Sequence, residues 1–213
     1  MIDDTKRGLG SRLAWRTLVG LYRQRGYAVA NPPPAVDKCL LVGAPHTSNW
    51  DFIVFAGVMR DLGITPSFIG KETLFRWPAT RFMYDMGGMP VNRSKAGGYV
   101  QAVVKAIEAR RKVALVVAPE GSRTSDGRWR SGFWHIAKGA GVPFVPAAFD
   151  GRTRLLHFGE AMMPGDSFLD DLGRLAAYFK SILPDCPRFD VLAAQARGEV
   201  QGPGRQGGGD AAE

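Results

Sequence analysis

The sequence predicts an α/β fold: a mixed, largely parallel sheet flanked by helices and preceded by an amphipathic N-terminal helix. Three observations carry this. Short apolar runs alternate with segments of helical periodicity from residue 38 to residue 183, and strands separated by helices form parallel sheets joined by crossovers. The run at 113–118 (Val-Ala-Leu-Val-Val-Ala) is β-branched and continuously apolar, the mark of a strand buried on both faces. Ahead of all of these, Asn31-Pro32-Pro33-Pro34 stops any helix that precedes it.

Residues 8–27 form the predicted first helix, with Ala14, Trp15, Leu18, Val19, Leu21 and Tyr22 on one side. A strand follows at 38–43, then a helix at about 48–62, a strand at 67–70, and a helical stretch at 72–86 interrupted near Pro78. Residues 88–92 are a strand candidate. Residues 99–111 form an amphipathic helix that puts Val100, Val103, Val104 and Ile107 on one face. After the strand at 113–118 comes a polar loop at 119–130 and a helix near 132–139. Strands at 143–149 and 154–158 and a helix at 168–183 complete the pattern. The two prolines of the 143–149 strand fit an edge position best. Residues 1–30 are taken as a helical N-terminal element, 31–197 as the main domain and 198–213, rich in Gly, Gln and Ala, as a disordered tail.

The chain has 213 residues and a net charge of +8, which favours anionic partners without choosing among them. Its basic residues are dispersed and form no nucleic-acid-binding motif, so no nucleic acid is expected. Cys39 and Cys186 make no metal-binding spacing, which points to buried thiols in a reducing compartment. The acidic start at Met1-Ile2-Asp3-Asp4 and the absence of a long apolar run predict neither a signal peptide nor a membrane span.

Chemistry concentrates at predicted strand ends, where open α/β sheets bind ligands. His46-Thr-Ser-Asn-Trp-Asp51 follows the first of these strands. Histidine takes a proton from a hydroxyl near neutral pH, and a carboxylate fixes its tautomer and steadies the imidazolium. With His46 in the turn before the helix and Asp51 in the first helical turn, the two side chains can meet. The competing reading makes Ser48-x-x-Asp51 a helix-capping pair and His46 a loop residue. Pro119-Glu120-Gly121-Ser122-Arg123 follows the strongest strand and offers a close-approach glycine, a hydroxyl and a forked cation suited to phosphate. Arg93 stands at another strand end, and Lys71 at a strand-to-helix turn.

These blocks, with Val142-Pro-Phe-Val-Pro146, resemble in order and spacing the glycerophospholipid acyltransferases of the lysophosphatidic acid acyltransferase type, over roughly residues 38–150. Each motif alone is weak, and the four together are specific. Ala118, where the family often has phenylalanine, and Asn49-Trp50 depart from the pattern and bear on the acceptor. The resemblance implies that His46 is the general base and Asp51 its partner. It assigns the acceptor's phosphate to Arg93 and Arg123, with Glu120 and Gly121 shaping the loop that also carries the Ser122 hydroxyl; the oxyanion that forms needs donors, for which a backbone amide and Lys71 are the two candidates. It implies no metal and no cofactor, with acyl-CoA or acyl-carrier protein as co-substrate and a lipid as acceptor. A cytoplasmic protein docked peripherally on an anionic membrane follows, with the basic N-terminal helix lying in the headgroup region or packed on the domain. A hydrolase using the same His/Asp pair is the alternative chemistry, although no Gly-x-Ser-x-Gly elbow is present.

Overall fold

In the computed structural model, residues 7–46, 50–91, 98–121 and 124–203 are described, apart from the side chains of Trp50, Asp51, Phe52 and Lys71. The chain runs α1 (Leu9–Gln24), β1 (Ala28–Val29), β2 (Lys38–Ala44), α2 (Trp50–Asp61), β3 (Pro66–Lys71), a 3₁₀ turn (Glu72–Phe75), α3 (Thr80–Asp85), β4 (Gly88–Val91), α4 (Tyr99–Glu108), β5 (Val113–Val117), α5 (Gly132–Ala140), β6 (Phe144–Asp150), β7 (Leu155–Phe158), α6 (Phe168–Ile182) and α7 (Pro187–Ala196). The seven strands form one sheet in the order β1-β7-β6-β2-β5-β3-β4. All pairings are parallel except β6 with β7. The α/β architecture expected from the sequence is therefore the observed one.

Side chains alternate across the sheet, so each strand feeds two cores. Along β2, Cys39 and Leu41 face a layer built by α1 and α2, with Val54, Val58, Met59 and Tyr22. Leu40, Val42 and Ala44 face the opposite layer, where Val103, Phe133, Leu172, Phe179 and Phe189 bring in α4, α5, α6 and α7. Burial on both sides explains why β2 and β5 read as continuous apolar runs. It also explains the free thiols: Cys39 is buried, and burial pushes its pKa up to about 12. Cys186 is half-buried.

Three features differ from the sequence-based expectation. The strand at Phe144–Asp150 lies between β7 and β2 rather than at an edge. Pro146 is tolerated because only its carbonyl is needed where β7 ends: it accepts the Gly159 N–H at 2.9 Å. A Cβ on Gly159 would lie 2.6 Å from the proline ring. Two elements were also unforeseen, the two-residue β1 and the helix α7. The latter starts with proline in its first turn, where the missing N–H costs nothing, and it buries Phe189 and Leu192 completely. The segment 198–213, expected to be a disordered tail, is described only to Pro203. The Arg128 guanidinium donates to the Gln201 carbonyl there at 3.3 Å.

Of the two placements open to the N-terminal helix, the protein adopts packing. Trp15 and Tyr22 are 2% and 5% exposed, so neither is free to enter a headgroup layer. Trp15 packs on Ala56 and Met86 and donates its indole N–H to the Asp85 carbonyl at 3.4 Å. The Asp85 carboxylate receives Gly8 N–H and the Ser11 hydroxyl at 2.9 and 2.8 Å. Tyr22 lies so close to Gly57 of α2 that a Cβ there would sit 2.5 Å away. Trp15→Ala is accordingly expected to cost about 3–5 kcal/mol of stability, measured by urea denaturation. A loss below about 1 kcal/mol would show that α1 detaches without disturbing the core.

Candidate functional site

β2 delivers the site. Its ladder with β6 ends at Ala44↔Ala148 and its ladder with β5 at Val42↔Val117. His46 follows a cis Ala44–Pro45 peptide at the carboxyl end of the central strand. Beyond the ladder its backbone groups need other partners, and two side chains supply them. The His46 N–H donates to Glu120 Oε1 at 3.1 Å. The His46 carbonyl accepts from Arg188 Nη1 at 3.2 Å. Arg188 and Glu120 also form a short, direct ion pair.

Glu120 belongs to the loop after β5, the strand beside β2. Its side chain is fully buried. Burial holds its carboxyl above the ordinary range, while the His46 N–H and the Arg188 charge pull it back. Both carboxylate oxygens are thus engaged within the protein. Gly121 turns the loop at φ +75°, a left-handed conformation that glycine adopts without penalty. A Cβ there would meet Arg130 Nε at 3.1 Å.

His46 lines an apolar pocket of about 210 Å³ together with Gly43, Phe55, Phe68, Val116 and Phe149. The pocket has a topological cause. β3 pairs with β5 only at Pro66↔Ala114 and Ser67↔Leu115, and from Phe68 onward it pairs with β4 alone. The strands part beyond Ser67, which leaves Phe68 of β3 to line the pocket with Val116 and Val117 of β5. A larger cavity, about 640 Å³, lies at the opposite end of the strands, where Asp37 and Lys112 stand beside Cys39. It shares no residue with the site.

The other sequence-predicted residues are placed as follows. Asp51 lies in the first turn of α2, which begins at Trp50. Its side chain, and Ser48 of the competing capping pair, lie outside the described residues. Lys71 ends β3 in register with Val91, with its side chain likewise outside. Arg93, Ser122 and Arg123 also lie outside the described residues. Among those described, no His, Cys, Asp and Glu group could hold a metal ion, and no helix is long and apolar enough to cross a membrane. The residue that sequence reasoning missed is Arg188, one arginine among many, in a helix that was not anticipated.

Residues 29–150 match the model of the acyltransferase family. Comparison with curated proteins and with solved structures finds no match.

The buried carboxylate makes a sharp stability prediction. Glu120→Ala leaves the Arg188 charge and the His46 N–H without their acceptor and is expected to cost about 3–5 kcal/mol. Glu120→Gln retains a carbonyl acceptor and should cost distinctly less. Chemical denaturation of both variants checks this, and equal losses would show that the carboxylate charge, rather than a carbonyl acceptor or the side-chain volume, is what Glu120 supplies.

Proposed function

The chain belongs to the acyltransferase family, and from that premise we propose that it moves a fatty acyl group from acyl-CoA or acyl-carrier protein to a hydroxyl of a lysophospholipid or similar glycerol-phosphate acceptor. The observation that carries the reading is the position of His46, at the end of the central strand and on the wall of an apolar pocket. A pocket lined by Phe55, Phe68 and Phe149 suits a hydrocarbon chain. The imidazole beside it suits proton removal from the acceptor hydroxyl.

In this reading His46 takes the hydroxyl proton, and the oxygen attacks the thioester carbonyl. The tetrahedral oxyanion collapses with expulsion of the thiolate, which takes the proton from the imidazolium. Asp51 orients the ring. Arg93, Ser122 and Arg123 receive the acceptor's phosphate, and Lys71 or a backbone amide faces the oxyanion. Neither a metal nor a cofactor enters these steps.

Contact with an anionic membrane, at the cytoplasmic face, is assigned to the outside of the α1–α3 corner. Trp77 is 90% exposed, Leu9 77% and Leu13 67%, and Arg16, Arg76 and Arg81, near them in the sequence, are exposed as well. Exposed apolar side chains accompanied by arginine suit a headgroup layer. Trp77→Ser should weaken co-sedimentation with anionic vesicles severalfold at unchanged thermal stability. Undiminished binding would place the docking surface elsewhere.

The reaction is tested with labelled acyl-CoA and acyl-carrier protein against a panel of lysophospholipids. His46→Ala is expected to fold and to lose about 10²–10⁴ in rate. Arg93→Ala and Arg123→Ala should raise the acceptor KM far more than the donor KM. A folded His46→Ala protein with more than about a tenth of wild-type turnover would remove His46 as the base. Release of free acid without any acceptor requirement would identify a hydrolase instead.

A further inference from the structure

We infer that Arg188, on a helix beyond the end of the acyltransferase match, is a positioning residue that, with Glu120, holds the backbone of His46 at both its N–H and its carbonyl. Three groups close a ring here. Glu120 accepts the His46 N–H, Arg188 donates to the His46 carbonyl, and Arg188 pairs with Glu120. The peptide groups on either side of the His46 Cα are therefore tied to one ion pair, and the Cα–Cβ direction that aims the imidazole is set by it. A carboxylate buried as Glu120 is would be very costly without a cation, so the ring forms as a unit.

The arm that brings Arg188 is itself held rigidly. Gln195, on the same helix, is buried and makes two bonds to Trp129: it accepts the backbone N–H at 2.8 Å and donates to the carbonyl at 2.9 Å. Gly127 (φ +99°) lets the preceding loop press on the first turn of α7, where a Cβ would come within 2.8 Å of the Arg188 carbonyl oxygen. The Arg188 side chain remains 22% exposed, so the residue is not there to fill the core. Misplacing a catalytic group by about 1 Å costs on the order of 10² in rate.

The function of His46 in this inference rests on the proposed reaction, but the grip on its backbone does not, and two readouts separate them. The His46 amide exchange rate is measured by NMR on the ¹⁵N-labelled full chain, in the wild type and in Arg188→Ala and Arg188→Lys. Acyl transfer from acyl-CoA to a lysophospholipid is measured on the same proteins. In Arg188→Ala the His46 amide should exchange at least about tenfold faster. Its kcat should fall about 10–100-fold with both KM values within about threefold. Arg188→Lys, which keeps the charge, should recover part of both effects. A folded Arg188→Ala protein with wild-type exchange and kcat overturns the inference, as does a lysine variant no better than alanine. If the alanine variant does not fold, Arg188→Gln, which retains N–H donors without the charge, takes its place. If the wild type transfers no acyl group, the exchange data alone decide the grip and only the proposed reaction falls.

Discussion

A strand enclosed on every side must find partners for its backbone where the ladder stops. β2 is that strand. Its side chains enter cores on both faces, and β5 and β6 occupy both of its edges. Such enclosure fixes the strand on both edges and both faces, and it leaves the peptide groups of His46 just past the last cross-strand pair. Satisfying them with water would sacrifice the precision that enclosure provides. The Glu120–Arg188 pair satisfies them from within, and the loop after β5 and the helix α7 converge there for that reason.

The two layers contribute differently. The α1–α2 side, together with the parting of β3 from β5, opens the apolar pocket that His46 lines. The side formed by α4, α5, α6 and α7 supplies the polar hold on the same residue. His46 therefore sits where a hydrocarbon-lined space meets a buried ion pair. This juxtaposition suits a substrate with an apolar chain and a reacting carbonyl. Residue Gly127 shows how tight the second side is, since a single methyl group at its Cα has no room beside the backbone of Arg188.

Much of this was legible in the sequence, and the reasons are particular. The strands at β2 and β5 declared themselves because burial on both faces demands consecutive apolar residues. The amphipathic helices α1, α4 and α6 did so through their periodicity. His46 and Glu120 could be singled out because they follow those strands directly. The surface met by α1 could not be, since an apolar stripe holding Trp15 and Tyr22 suits a protein core and a lipid headgroup equally. The interior position of β6 was hidden by Pro146, whose lost donor matters only if a partner carbonyl lies opposite. Arg188 was invisible because arginine is ordinarily a solvated surface charge. Nothing in its local sequence reveals a carboxylate 68 positions away.

The late position of Arg188 has a consequence for assembly. A chain folding as it emerges from the ribosome presents β2, α2, β5 and the Glu120 loop well before α7 exists. Until α7 docks, Glu120 faces a cost of ionisation that its partner has not yet arrived to offset, and His46 hangs from an unfinished strand end. Completion of the Glu120–Arg188 hold is therefore a late folding event rather than a local one. The segment matched by the family, residues 29–150, contains His46 and the pocket walls up to β6 yet not Arg188. A nascent chain would hold His46 on a slack strand end, and its backbone would be fixed only when α7 closed over the loop.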